Sequence, residues 1–313
     1  MGKSFVEARH DLKFQDRSLR DKRLTLPEAL ASVADGDHIA IGGCLYSRTP
    51  LAALMELLRM GRSDLTLSRS LMCYEGELYL AAGASKHLMT SWMAIGLPWG
   101  ISGTLRHYVE SGAAEFEEWS HLALGLRYRA GAMGVPFLPT VTMLGSDLHR
   151  HAATKEMVDP FSGERICLVP ALFPEVAIVH VHRADQFGNV QIDGYPHMDA
   201  DIVKAARTVI VTAEEIVDTE EMRADGARTV FPYYAVDAVV EVPYGAYPHE
   251  MYGAYDADFD HFDTYVGLTK EEGGIERYLE EFVFGVADHA EFLATFDEGA
   301  LGAAAERSAE LLR

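Results

Sequence analysis

Apolar and polar positions along this chain change period several times, and each change marks an element. Residues 1–23 are polar without apolar periodicity and read as a loose leader. Order begins at Thr25-Leu26-Pro27-Glu28, where Thr25 caps a helix that Glu28 closes reciprocally, so a helix is expected to about Ala34. It stops at Asp35-Gly36-Asp37. The short apolar run His38-Ile39-Ala40-Ile41 then predicts a strand ending at Gly42-Gly43. Thr49-Pro50 opens a further helix with proline in its first turn, and Leu51, Leu54, Leu57 and Leu58 form its apolar stripe. Downstream, Leu65 to Leu67 predicts a strand, Glu77 to Ala82 a short helix ended by Gly83, and Thr140 to Leu144 a strand entering Gly145-Ser146-Asp147. The β-branched runs Val176 to Val181 and Val209 to Thr212 predict strands on either side of a helix over Ala200 to Ala206.

Continuous apolar strands alternating with helices predict an α/β fold: an open, largely parallel sheet covered by helices on both faces. Residues 247–263, rich in Tyr, Gly and Asp, are expected to wrap the surface. Two amphipathic stretches, Ile275 to Val286 and Leu301 to Leu312, are expected to end the chain as helices. With no internal repeat or low-complexity linker, residues 24–313 read as a single domain, with 247–313 as a surface wrap and C-terminal helices.

Composition narrows the class. Hydrophobic residues make up 49%, enough to fill a large core, and no run of about eighteen apolar residues suggests a membrane span. The N-terminus lacks the apolar block of a secretory signal. Cys44, Cys73 and Cys167 are odd in number and scattered, which suits a reducing cytoplasm and suggests neither a disulfide framework nor a zinc site. A net charge of −21 repels nucleic acid and anionic membranes and favours solubility. An anionic ligand would therefore have to be met by a few local arginines or helix N-termini.

Ligands of open parallel sheets bind beyond the carboxyl ends of the strands. Three strand ends carry glycine or small polar residues: Gly42-Gly43, Ser68-Arg69-Ser70 and Gly145-Ser146-Asp147. Glycine lets a backbone N–H approach a ligand, but a tight strand-to-helix turn needs glycine for structural reasons alone. No phosphate-cradling loop ending in Lys-Ser or Lys-Thr and no dinucleotide fingerprint is present. The pairs His149/His151 and His180/His182 lack a third ligand, so structural roles are expected and no metal.

The sequence Asp35-Gly36, Ile39-Ala40-Ile41, Gly42-Gly43-Cys44 and Arg48-Thr49-Pro50 resembles the first signature of the family I coenzyme A transferases. Cys44 stands where Phe is usual and Arg48 where Gly is usual, the latter as in the α subunits of the glutaconate type. Further blocks follow in collinear order over roughly residues 26–263, among them Gly134 to Pro139, Gly145 to Leu148, Asp185 to Val190 and Pro243 to Ala246.

The resemblance implies transfer of coenzyme A between a thioester and a carboxylate through a glutamyl thioester on the enzyme. Coenzyme A is then a substrate, and no permanently bound cofactor is implied. In two-subunit members the glutamate sits in a Ser-Glu-Asn-Gly-like motif of the β subunit, and no such motif occurs here. Glu75 and Glu77 are its nearest imitations and read as helix-surface carboxylates. The resemblance thus implies an α subunit, with no catalytic residue of its own and a β partner of related fold. It further implies substrate contacts from Arg48, Ser68, Ser70, Gly42, Gly43, Gly145 and Ser146. Arg48 suits a planar carboxylate or an interface equally. Asp147 either faces the ligand or caps its loop, and Gly188-Asn189 reads as a tight turn. Arg69 and Met72 replace the usual glycines of the serine loop and alter its shape. Ring-opening CoA hydrolases share this fold and carry an essential glutamate on the α-like chain. His121 holds its place here, beside Glu117 and Glu118, and is expected to be a partly buried residue of a helix capped by Ser120. A hydrolase subunit or a silent ligand-binding protein of the same fold are the alternatives.

Overall fold

Seven parallel strands form the spine of this computed structural model, which describes residues 4–12 and 15–311. In chain order the strands are β1 (His38–Ile41), β2 (Leu65–Met72), β3 (Ser85–Met93), β4 (Glu115–Glu118), β5 (Phe137–Thr140), β6 (Lys155–Val158), β7 (Arg165–Pro170), β8 (Val176–Asp185), β9 (Val190–Gln191), β10 (Thr208–Val217), β11 (Thr229–Phe231) and β12 (Ala238–Glu241). The parallel strands lie in the order β4-β3-β2-β1-β8-β10-β12. Short antiparallel β9 joins the far end of β8, where β1 has already ended, and β11 pairs with β9. Strands β5, β7 and β6 form a separate antiparallel sheet.

The apolar runs are continuous because both faces of the sheet are covered. Ile39 and Ile41, Val176 and Ile178, Ile210, and Ala238 and Val240 point into one core. Their alternates Ala40, Ala177 and Val179, Val209 and Val211, and Val239 point into the other. That is the two-residue period of a strand buried on both sides. Helices α1 (Phe5–Leu12), α2 (Leu26–Leu30), α3 (Leu51–Arg59), α4 (Tyr74–Ala81), α5 (Gly103–Ser111), α6 (His121–Met133), α7 (Leu148–His151) and α8 (Asp199–Ala205) follow in order. α2, α3 and α4 contribute to the first core, α6 and α8 to the second. Thr25 and Glu28 form the expected capping box, and the four expected leucines of α3 are buried.

Several expectations are corrected. The leader holds a helix, α1, and Lys22 is buried with its ammonium donating to the Tyr233 carbonyl at 2.5 Å; Met1 to Lys3, Lys13 and Phe14 lie outside the described residues. Thr140 to Leu144 is not a strand. β5 ends at Thr140, whose Oγ1 accepts the Thr142 N–H (3.1 Å), and Val141 O accepts the Leu144 N–H (3.2 Å), so the chain turns. Residues 247–263 do not merely wrap the surface: Tyr247, Met251 and Tyr255 are buried in a small core of their own that the last helix, Ala300–Leu311, closes with Ala304. Leu312 lies outside the described residues. The stretch from Ile275 is helical over Gly274–Leu279 and continues as a wider π turn over Glu280–Phe284. Among the described residues no helix is long and apolar enough to cross a membrane.

Candidate active site

The strand order reverses between β1 and β8: from β1 the chain winds outward through β2, β3 and β4, and from β8 it winds the other way through β10 and β12. Loops leaving the carboxyl ends of two such strands diverge to opposite faces and leave a crevice. Residues 42–49 follow β1 into α3, and residues 195–199 lead into α8 across the same opening.

The first loop is strained and clamped. Gly43, Leu45 and Arg48 have φ of +68°, +52° and +55°, and His197 opposite has +49°. Such backbone persists only where its surroundings over-determine it, and it clusters at functional sites. Two buried ion pairs do this here. Arg69, on β2, donates to the carbonyls of Gly42 (3.1 Å) and Leu45 (3.0 Å) and to Thr49 Oγ1 (2.9 Å), and pairs with Glu75 (2.6 Å). Asp199 accepts the Gly43 N–H (2.8 Å) and pairs with Arg48 (2.6 Å), which also donates to the carbonyls of His180 (3.2 Å) and Tyr195 (2.8 Å).

This geometry places the expected site residues unevenly. Arg48 is 1% exposed, and its guanidinium is engaged by Asp199 and by the carbonyls of His180 and Tyr195. The Gly42 N–H is used by Ile178 O (2.9 Å) and a Cβ there would lie 2.6 Å from Val179 Cγ1, so Gly42 is required by packing. Ser68 is inside the sheet: its Oγ accepts from Tyr128 of α6 (2.7 Å) and lies 2.6 Å from His38 Nε2. Ser70, two residues on, reaches the strand end, with Oγ 3.8 Å from the half-buried Cys44 thiol. Gly145 and Ser146 are exposed on the turn after β5, and Ser146 Oγ donates to Met143 O (2.8 Å). Thr142 Oγ1, on that turn, is 3.3 Å from Ser120 Oγ, which ties it to the start of α6. Asp147 makes no side-chain cap and pairs with Arg150 (2.9 Å).

Ser91 and His197, which the sequence does not single out, lie at the mouth with His121 and Cys44. Ser91, on β3, donates to the Ser70 carbonyl and lies 3.3 Å from His121 Nδ1. His121 is exposed rather than partly buried, since Ser120 starts α6 at the crevice by accepting the Ala123 N–H (3.2 Å). Burial, with Arg48 adding to it, holds His197 below the usual imidazole range, and burial pushes the Cys44 thiol up. Both groups are therefore neutral near pH 7. From Ser91 the opening continues into a cavity of about 400 Å³ lined by Trp92, Ile101, Leu105, Val109 and Glu118. Glu75 and Glu77 are not surface carboxylates: both are fully buried, Glu75 on Arg69 and Glu77 beneath Ser102 and Tyr265, with burial pushing Glu77 up to about 7. Glu117 is drawn into an ion pair with Arg127 (2.6 Å). The expected structural roles of His180 and His182 have partners to match, Thr212 and Glu214 for the first, Tyr252 O and the Asp193 N–H for the second. His149 pairs with Glu156 (2.6 Å), while the side chain of His151 lies outside the described residues. Gly188, at φ +94°, makes the tight turn before β9.

Comparison with known proteins gives this arrangement a context. Residues 23–242 match the family model described as coenzyme A transferase. The chain is 34% identical to one of the glutaconate CoA-transferase subunits of Acidaminococcus fermentans, over 87% of this chain and 91% of that protein. The crystal structure of glutaconate coenzyme A-transferase from that organism superposes with a TM-score of 0.84, covering 88% of this chain and 92% of that one. It is 35% identical to one of the 3-oxoadipate CoA-transferase subunits of Pseudomonas knackmussii, over 88% and 98% of the two chains. An uncharacterised protein of Archaeoglobus fulgidus is 38% identical over 89% of this chain, which spans 63% of that relative's length.

Proposed function

Because the chain belongs to the coenzyme A transferase family, we propose that it is the α subunit of a two-subunit CoA-transferase whose β subunit supplies the nucleophilic glutamate. One observation carries this reading. The crevice offers hydroxyls, a thiol and imidazoles at Ser70, Ser91, Cys44, His121 and His197; Asp199 and Glu75, the carboxylates beneath it, are buried in ion pairs, and Glu118 in the adjoining cavity is an exposed carboxylate. Such a surface can orient an acyl group, and this reading leaves Glu118 outside the covalent step, which the Glu118→Gln variant tests.

In the proposed reaction the partner's glutamate attacks the thioester carbonyl, and the C–S bond breaks to release CoA thiolate and a mixed anhydride. The thiolate attacks the glutamyl carbonyl and expels the first carboxylate, leaving a glutamyl thioester. The acceptor carboxylate then reverses both steps. In this reading Ser70 donates to the carboxylate before attack, Ser91 braces that strand end through the Ser70 carbonyl, and the cavity beyond Ser91 takes the acyl chain. The glutaconate and 3-oxoadipate relatives support a dicarboxylic acyl group. The three free cysteines support a reducing, cytoplasmic setting.

The test is co-expression with a β-like chain and an assay of CoA release with and without an acceptor carboxylate. Turnover that depends on the acceptor is expected, and His121→Gln and Glu118→Gln complexes should keep most of it. Acceptor-independent thioester hydrolysis, lost by several orders of magnitude in either assembled variant, would move the chain to the hydrolase alternative.

A further inference from the structure

Beneath the clamped loop, three side chains that the proposed chemistry does not use meet in the interior. Cys73 precedes α4, Glu75 lies in its first turn, and His249 comes from the segment after β12. All three are fully buried, and one ligand atom from each lies within 4.8 Å of the other two. Two buried atoms here have no hydrogen-bond partner among the described residues: Glu75 Oε2 and His249 Nε2. An orphaned buried polar atom costs about 1–3 kcal/mol, and two of them on side chains clustered with a thiol call for an occupant.

The remaining atoms of the same side chains are held. Glu75 Oε1 accepts from Arg69 (2.6 Å) and from the Cys73 N–H (3.0 Å), which fixes the carboxylate with its second oxygen free. Thr49 Oγ1 accepts from Arg69 (2.9 Å), lies 3.2 Å from Leu45 O and is in closer contact with His249 Nδ1, so the Nδ1 side of the imidazole is engaged. With the ring proton on Nδ1, the unpartnered Nε2 presents a lone pair. A histidine with one nitrogen donating to a neighbour and the other bare, beside a carboxylate with one oxygen hydrogen-bonded and the other bare, is how ligating side chains are oriented around a metal. Water could fill the space, but sulfur, imidazole and carboxylate together are the donor set of a borderline-soft ion.

We propose that Cys73 Sγ, Glu75 Oε2 and His249 Nε2 bind a divalent cation of the zinc class, with water in the fourth position. Binding breaks the Cys73 S–H bond and forms an S–metal bond; the proton leaves to solvent and nothing is oxidised or reduced. Tetrahedral zinc sets its ligand atoms about 3.5 Å apart, which side chains already within 4.8 Å of one another reach by small movements. The ion ties α4 through His249 and Thr49 to the strained loop, and so holds the mouth of the crevice. No spacing in the sequence announces the site, because His249 arrives from the other end of the fold.

The test uses the full-length chain, stripped with chelator and titrated with cobalt(II). One equivalent should bind with a thiolate-to-cobalt charge-transfer band that zinc displaces, and the apparent affinity should rise about tenfold per pH unit for the single proton released. The band should vanish in Cys73→Ser and persist in Cys167→Ser. Should Cys73→Ser fail to fold, X-ray absorption of the zinc-loaded wild type decides: one sulfur scatterer at about 2.3 Å is expected. No saturable binding, a band that survives Cys73→Ser, or a zinc shell without sulfur would overturn the proposal.

Discussion

Arg48 and Asp199 meet at 2.6 Å with essentially no exposure, and each also serves backbone groups of the crevice loops. Removing one partner of such a pair strands the other charge in the interior, at a cost of about 3–5 kcal/mol. Arg48→Ala is therefore expected to lower unfolding stability by about that amount, read by urea denaturation. An assembled Arg48→Lys complex should lose kcat through a misplaced loop with little change in acceptor KM. A rise confined to acceptor KM would instead return Arg48 to direct carboxylate binding. His182 contributes a pH dependence of its own. Its Nδ1 accepts the Asp193 N–H (3.0 Å) and its Nε2 donates to Tyr252 O (2.7 Å), so the folded ring has no place for a second proton. Burial lowers it from 6.5 to about 4. Its contribution is complete above pH 6.5 and drains as pH falls from 6.5 to about 4, where the unfolded chain takes up a proton that the folded ring refuses. The slope is about 1.4 kcal/mol per pH unit. His182→Gln lacks that proton uptake, so the stability gap between wild type and variant should narrow by about 2 kcal/mol between pH 7 and pH 5.

Among the elements, the loop over residues 42–49 depends most on one residue. A Cβ on Gly43 would lie 2.1 Å from Ser47 O and 2.7 Å from Arg48 O, in a backbone at φ +68°. Gly36 has φ +82° but nothing within 4 Å of where a Cβ would sit. Gly36→Ala should therefore cost only the left-handed penalty of about 1–2 kcal/mol. Gly43→Ala should cost clearly more, because backbone on the other side of the loop must move, and should also abolish activity in the complex. Equal thermal shifts for the two variants would show that the Gly43 loop relaxes freely.

For the whole molecule, the consequence of the net charge of −21 is a surface that does not attract an anionic thioester by itself. The arginines nearest the crevice are neutralised by Asp199 and Glu75, so they add little field beyond the site. In the proposed two-subunit reading, the nucleophile and further charge complementarity come from the second chain. The purified chain alone is expected to turn over no acyl-CoA and to take no hydroxylamine-sensitive CoA label. Labelling of this chain without a partner would defeat the two-subunit reading.

Local pattern by itself determined which segments become strands and helices wherever one period held without interruption. β1, the stripe of α3, the capping box before α2 and the start of β8 follow from propensity and spacing within a few residues, because the forces that set them act over one turn or one strand. The resemblance of ordered blocks likewise carried the family. Tertiary structure alone decided what the site residues do. Nothing near Arg48 in sequence says that Asp199 will neutralise it, nothing near Ser68 says that Tyr128 will cover it, and Glu75 and Glu77 look solvated until the sheet and the aromatic segment after β12 close over them. Thr140 to Leu144 had the residues of a strand and became a turn because its hydrogen bonds are satisfied locally where β5 leaves β7 after Thr140. Burial and pairing are set by chain segments far apart in sequence, so solvation, charge state and tautomer are properties of the assembled fold rather than of any local stretch.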